Sequence, residues 1–134
     1  MRKLFSILTV LLIVAGCSSQ PEPTFKGKLY QLREAQNNAV ITLGFAADEP
    51  RFYGKVVNNF FGSYTFDGAA ITFGPAGATM MMGPEPLMEA EQNFLGILPR
   101  IKSFKMDGKN LILITDNGQE LVFDEIPQPA PDQQ

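Results

Sequence analysis

Four methionines and several acidic residues stand close together in the middle of the chain, in the stretch "GATMMMGPEPLMEAEQNF" over residues 77–94. Met80, Met81 and Met82 are consecutive, and Met88 follows them. Thioether sulfur is a soft ligand that suits Cu(I). Methionine is also an ordinary filler of irregular hydrophobic cores. The stretch therefore has two interpretations: a metal-binding (copper) module, or the end of a buried strand that runs into a helix.

Strand geometry bears on the metal interpretation. Adjacent strand residues point to opposite faces, so Met80 and Met82 could share a site that Met81 could not reach. Such a site would hold two or three thioethers with no histidine or thiolate beside them, which is a poor donor set even for Cu(I). The core interpretation asks nothing more than a strand followed by a helix.

Glu91 is the other residue in this stretch with possible chemistry. It lies four residues after Leu87 and three before Phe94, so a helical period places it on an apolar stripe. A buried carboxylate is expensive unless its oxygens accept hydrogen bonds. Either it accepts bonds from backbone N–H groups of a neighbouring loop and fixes the helix to the sheet, or it is a perturbed acid in a pocket. We favour the first alternative, because no partner base or nucleophile stands out.

The composition removes several classes of function. The chain has no histidine, so it lacks the usual general base and the usual metal ligand. Its one cysteine is Cys17, and if that residue is lipidated, Cys–His catalysis and thiolate zinc sites are excluded too. No glycine-rich loop shows a phosphate-binding pattern. We expect no enzymatic activity and no cofactor.

The first residues, "MRKLFSILTVLLIVAGCSSQ", have the form of an export signal. Two basic residues precede an apolar run over 4–14, which is too short to span a bilayer well and fits a secretory signal peptide. The sequence "VAGC" over 14–17 resembles the lipobox of bacterial lipoproteins. That resemblance implies cleavage before Cys17 and acyl chains on its thiol and new amine. Several acyl chains on one residue anchor a protein stably, whereas one chain does not.

The position after the cysteine concerns sorting. Ser18 stands where an aspartate would favour retention in the inner membrane, so the lipoprotein resemblance implies the outer membrane. We predict a signal peptide over 1–16, the lipidated cysteine and a short tether over 17–24, one domain over 25–126 and a disordered tail over 127–134.

The mature chain is acidic. Of 11 basic residues, two lie in the signal peptide, which leaves 9 against 14 acidic residues and a net charge of −5. No basic stripe is available to neutralise phosphates, so we expect no nucleic-acid partner. The expected partners are the membrane, through the lipid anchor, and an envelope protein or lipid.

Apolar and β-branched runs predict nine short strands and one helix. Asp-Gly or Asn-Gly in "FDGAAI", "MDGKNL" and "TDNGQEL" suits tight hairpin turns and predicts three antiparallel pairs. Prolines mark the start of the helix at 84 and 86 and its end at 99. The expected fold is α+β, a small, mostly antiparallel sheet or half-barrel with one amphipathic helix packed on it. The predicted strands are 24–32, 39–46, 51–57, 60–66, 69–73, 78–82, 101–106, 110–115 and 119–123.

The order of these segments resembles the META domain family, which includes the heat-shock lipoproteins called HslJ. The family's first motif is Gly-Cys-Asn-x-aromatic-x-Gly-x-Tyr, and its second is Thr-x-Met-x-Cys followed by Met-Glu and an acidic helix. The resemblance covers about residues 26–125. The matching positions of this chain are Asn58, Phe60, Gly62, Tyr64, Thr79, Met81, Met88, Glu89, Glu91, Phe94 and Leu98.

Three positions depart from the motifs. Val57 and Gly83 stand where the motifs have cysteine, and Val56 replaces a glycine. If the family's cysteines pair, this chain replaces that covalent link with packing. The resemblance implies an envelope lipoprotein linked to stress or antibiotic tolerance, without established enzymatic activity. Similarity of the fold to secretin-pilot lipoproteins further suggests a cavity or groove for a lipid or peptide.

Overall fold

The computed structural model describes residues 25–129. The predicted signal peptide, Cys17 with its tether, and residues 130–134 of the predicted tail lie outside the described residues. Within residues 25–129, no helix has both the length and the apolar character needed to cross a bilayer.

The described chain forms nine strands, one α-helix and two short 3-10 helices. The 3-10 helices are Gln36–Asn38, between the first two strands, and Leu98–Arg100, directly after the α-helix. The other elements, in chain order, are β1 (Leu29–Leu32), β2 (Thr42–Phe45), β3 (Arg51–Lys55), β4 (Asn59–Asp67), β5 (Ala70–Phe73), β6 (Gly77–Ala78), α1 (Glu85–Ile97), β7 (Ile101–Asp107), β8 (Asn110–Thr115) and β9 (Glu120–Ile126).

Eight of the strands close into an antiparallel barrel, in the order β3-β2-β1-β9-β8-β7-β5-β4 with β4 pairing back to β3. The long strand β4 closes the ring because it pairs with two strands of the barrel, β3 and β5. Residues 59–63 pair with β3, and residues 64–67 pair with β5 on the other side. The expected half-barrel is therefore corrected to a closed, mostly β barrel with one helix. The three predicted hairpin pairs are present.

Glycines with positive φ stand in the turns that the dipeptides predicted. Gly68, Gly108 and Gly118 have φ values of 59°, 61° and 85°. Glycine adopts this left-handed region without the steric penalty of a Cβ atom. The chain can therefore reverse direction within a few residues in each hairpin, and the tight turn fixes the pairing register of the two strands.

The barrel interior is filled by aromatic side chains. The rings of Phe25 and Phe45 lie 4.4 Å apart between centroids, and the ring of Tyr64 lies 5.5 Å from Phe45. The interior of an eight-stranded barrel either fills with its own side chains or holds one small ligand, and here buried side chains occupy it. On β4, Phe60 and Tyr64 lie four residues apart and are both buried. These rings belong to one continuous cluster of buried side chains that forms the core of the barrel.

The predicted strand over 78–82 was largely wrong. The strand β6 covers only Gly77–Ala78, where it pairs with β4. Beyond it, the backbone of Met81 is hydrogen-bonded by the side-chain amide of Asn58 instead of by a neighbouring strand. Residues 79–84 therefore form an irregular segment between β6 and α1.

Candidate functional site

The buried carboxylate of Glu91 joins α1 to the connection between β3 and β4. Its Oε1 atom accepts hydrogen bonds from the backbone N–H groups of Asn58, at 2.6 Å, and Val57, at 3.2 Å. Its Oε2 atom accepts a bond from the Asn58 side-chain amide at 2.9 Å. Glu91 is 4% exposed, so these contacts replace the water that the carboxylate lost. This is the first of the two alternatives derived from the helical period.

The side chain of Asn58 extends the same network to a third segment. Its Oδ1 atom accepts hydrogen bonds from the Thr79 hydroxyl, at 3.0 Å, and from the backbone N–H of Met81. Its Nδ2 atom donates to the Met81 carbonyl at 3.2 Å as well as to Glu91. An amide side chain offers two donors and two acceptor lone pairs, and here all are used. One buried residue thereby holds the helix, the β3–β4 connection and the segment after β6 together.

The structure brings together, through hydrogen bonds, four of the eleven motif positions named above. Asn58, Thr79, Met81 and Glu91 form the polar network. Phe94 lies one helical turn further along, with its ring 5.7 Å from that of Phe60 and 6.2 Å from that of Phe123. The helical period predicted the burial of Glu91, but no sequence pattern identified Asn58 as its principal partner.

Gly62 and Tyr64 lie elsewhere. Gly62 is on β4, and a Cβ atom there would meet the Phe52 ring at 2.6 Å and the Pro75 carbonyl oxygen at 2.8 Å. Only glycine allows this close approach. Tyr64 packs in the barrel core, where its ring lies 5.7 Å from that of Phe25. Both positions serve the packing of the barrel and are not part of the Glu91 network.

The methionine side chains point away from this network. Met80 and Met82 are 94% and 91% exposed, and Met81 is 49% exposed. Neither of the two more exposed sulfurs is enclosed by other side chains. Within residues 25–129, no group of three or more histidine, cysteine, aspartate or glutamate residues is placed to hold a metal ion.

A cleft with a volume of about 480 Å³ lies beside the helix. It runs between α1, the end of β1 with the following loop, and the start of β9. Its floor is apolar, because Ile41, Phe94 and Leu121 lie there with their side chains almost fully buried. Its rim is polar and comes from all three elements. The rim residues are Arg33, Glu34, Gln36, Asn93, Gln119 and Glu120.

Amide side chains tie one wall of the cleft to the helix. Gln36 donates to Glu89 Oε1 at 3.2 Å and accepts from Asn93 Nδ2 at 2.7 Å. Asn37 Nδ2 donates to the Pro86 carbonyl oxygen at 2.8 Å. Asn37 and its neighbour Asn38 both adopt positive φ, at 56° and 55°, a conformation that asparagine tolerates better than most residues. These hydrogen bonds hold the loop after β1 against α1, where it forms one wall of the cleft.

The charge at the rim is largely paired. Arg33 Nη2 lies 2.6 Å from Asp124 Oδ1, and its Nε donates to both carboxylate oxygens at 3.2 Å. The hydrogen bond from Arg33 holds the pKa of Asp124 below its ordinary value, and the same contact raises the pKa of Arg33. Lys105 likewise lies 3.0 Å from Glu120. A ligand in the cleft would therefore meet an apolar floor with few uncompensated charges.

The structure is a small β-barrel domain with a closed antiparallel barrel and one helix. The buried network of Asn58 and Glu91 holds that helix against the barrel. The chain belongs to the META domain family, since residues 24–128 match that family. Among curated proteins, none matches the chain.

Solved structures show a similar fold. An NMR structure of a protein from Burkholderia xenovorans has a TM-score of 0.64 and 24% identity, covering 78% of this chain and 85% of its own. A second NMR structure has a TM-score of 0.56 and 17% identity, covering 72% of this chain and 87% of its own. A DUF4847 family protein from Bacteroides vulgatus has a TM-score of 0.50 and 18% identity, covering 66% of this chain and 61% of its own.

Proposed function

We propose that this protein is a non-enzymatic envelope lipoprotein, anchored in the outer membrane through Cys17 and facing the periplasm. Its META domain binds an envelope protein or a lipid in the cleft beside α1. Through that contact it has an accessory role in envelope stress or antibiotic tolerance. The observation that carries the binding proposal is the cleft, with its apolar floor, its polar rim and its volume of about 480 Å³.

The packing of the barrel favours a protein segment over a lipid as the ligand. Aromatic and aliphatic side chains pack against one another in the interior, which disfavours the enclosure of a lipid acyl chain there. The cleft is open and lined by amides that can hydrogen-bond a peptide backbone, while its floor can accept apolar side chains. The copper alternative has no observation of comparable weight in its favour, because Met80 and Met82 are 94% and 91% exposed and their sulfurs are not held in an enclosed site.

Photo-crosslinking in intact cells tests the binding proposal. A photoreactive residue replaces Asn93 on the rim, and a matched control replaces Lys109 in the β7–β8 turn, which is exposed and does not line the cleft. We expect a discrete protein adduct from position 93 that is absent from position 109. It should disappear when Ile97→Asp places a charge in the cleft. A lipid adduct would identify the other ligand class, and no adduct at position 93 would contradict the proposal.

The anchoring proposal has a separate test. Cells that produce the natural chain or Cys17→Ser are fractionated into soluble, inner-membrane and outer-membrane material. We expect the natural chain in the outer membrane and the variant in the soluble periplasmic fraction. If the variant stays with the outer membrane as well as the natural chain does, acylation of Cys17 is not the anchor.

A further inference from the structure

The segment between β6 and α1 exposes two methionine side chains to solvent. Its backbone is held in place by hydrogen bonds in which these side chains take no part. Met80 is 94% exposed and Met82 is 91% exposed. The backbone between them is fixed at Met81, whose N–H and carbonyl groups both bond to the buried amide of Asn58. Thr79 adds a further contact, since its hydroxyl accepts a hydrogen bond from the backbone N–H of Asn59 at 3.1 Å. The conformation of the segment is therefore set by polar contacts that do not involve sulfur.

We propose that Met80 and Met82 form an oxidant-accepting modification site, at which a peroxide-class oxidant converts both thioethers to sulfoxides while the fold stays intact. In each step the methionine sulfur attacks one oxygen of hydrogen peroxide. A sulfur–oxygen bond forms and the oxygen–oxygen bond breaks. The sulfur is oxidised by two electrons and the peroxide is reduced to water. The proposal is independent of the cleft and of any ligand bound there.

Exposure sets the order of reaction among the methionines. Susceptibility to oxidation follows access to the sulfur. Met88 and Met106 are partly buried, and Met106 packs against the hydrophobic core. A polar sulfoxide at Met106 would disturb that packing, whereas a sulfoxide at Met80 or Met82 remains in water. Met81 is half exposed and falls between the two groups.

The modification changes the character of the surface. The two methionines are among the most exposed large apolar side chains of residues 25–129. Sulfoxide formation replaces each apolar tip with a strong hydrogen-bond acceptor. Sulfoxides can be reduced back to thioethers by enzymes specific for each sulfoxide epimer, so the change is reversible. The segment would then alternate between an apolar and a polar surface according to the oxidant supply.

The test is a timed treatment of the purified full chain with dilute hydrogen peroxide, followed by fragment-ion mass spectrometry that scores each methionine. Met80 and Met82 should react about tenfold faster than Met88 and Met106. Met1, outside the described residues, is scored separately. Thermal unfolding measured when these two positions are fully oxidised should be unchanged.

Leucine variants provide the controls. The double variant Met80→Leu/Met82→Leu should lose the fast uptake of two oxygen atoms, while Met88→Leu should keep it. Equal rates at Met82 and Met88, a fast phase that survives in the double variant, or loss of the unfolding transition with the first two oxygens would each overturn the proposal.

Discussion

Gly83 lies directly against Val57. A Cβ atom on Gly83 would be 3.6 Å from the Cβ atom of Val57 and 2.8 Å from its Cγ1. Disulfide-bonded cysteines hold their Cβ atoms about 3.5–4.5 Å apart. These are the two positions at which the META motifs carry cysteine, so the spacing for a covalent link is kept although the cysteines are absent. The valine side chain occupies the space that a side chain at position 83 would need.

The double variant Val57→Cys/Gly83→Cys, made with Cys17→Ser, should form a disulfide on mild oxidation. The bond closes a loop of about 27 residues, which the chain-entropy estimate converts to about 3.5 kcal/mol of added stability. Urea unfolding with and without reductant measures the gain. Each single cysteine variant is the control and should show no dependence on reductant. Free thiols that persist under oxidising conditions would show that the two backbones do not approach as described.

Replacing Glu91 should destabilise the fold through the donors it leaves unpaired. In Glu91→Gln an amide nitrogen must face an N–H donor of Asn58 or Val57, and we expect a loss of about 1.5–3 kcal/mol. The matched control is Glu89→Gln on the same helix, where the side chain is exposed and the expected change is within about 0.5 kcal/mol. Urea unfolding of both variants gives the comparison. Equal stability of the two would mean that the buried network contributes little.

The raised pKa of the buried Tyr30 side chain predicts that the folded protein loses stability at high pH. Burial and, to a smaller extent, the charge of Glu125 raise its pKa from 10.0 to about 12. The folded chain then keeps a proton that the unfolded chain loses, so stability falls as the pH rises from about 10 to 12, by about 2–3 kcal/mol in all. Unfolding measured across that range should show a shallower fall in Tyr30→Phe than in the natural chain.

The same variant should be no less stable at neutral pH. The Tyr30 hydroxyl is buried and has no hydrogen-bond partner among residues 25–129. Removing it therefore costs no bond and relieves a buried polar atom. Tyr53→Phe, at a position that is 38% exposed, is the control and should leave the alkaline difference intact. A marked loss of stability in Tyr30→Phe at pH 7 would reveal a partner for the hydroxyl.

The pair Arg33 and Asp124 gives a prediction about titration. Arg33 holds the pKa of Asp124 below its ordinary value, chiefly through the hydrogen bond. The stabilisation from this pair is present above the unfolded pKa of Asp124 and is lost as the pH falls through the folded value. In Arg33→Ala the carboxyl should titrate at a higher pH, as followed by NMR of its side-chain carbon. An unchanged titration would show that solvent screens this exposed pair completely.

The local elements could be predicted from the sequence, but the closure of the barrel could not. Asp-Gly and Asn-Gly fix hairpins between neighbours in the chain, and the helical period identifies α1 and its buried stripe. The pairing of β1 with β9 joins residues such as Leu29 and Ile126, which no local pattern connects. Closure also needs β4 to change partner along its length, and a uniform alternation of side chains carries no mark of that change.

The candidate site divides in the same way. Glu91 could be found because one polar residue interrupts an apolar period, and Asn58 was named through the family motif. The cleft could not be predicted, since its walls come from three elements far apart in the chain. No local pattern connects Asn37 with α1, although the structure places its side chain against the Pro86 carbonyl oxygen.

The position of the first and last strands of the described residues has a consequence for topology. Gln128 Nε2 donates a hydrogen bond to the Gly27 carbonyl oxygen at 2.9 Å, and β1 lies next to β9. The first and last strands of the barrel are thus neighbours, and a short peptide could join them. In a circularly permuted chain with new termini in the β7–β8 turn at Gly108, all the strand pairings of the barrel could still form. Because the strands form a closed ring, the fold should accept chain termini in more than one of the turns between strands.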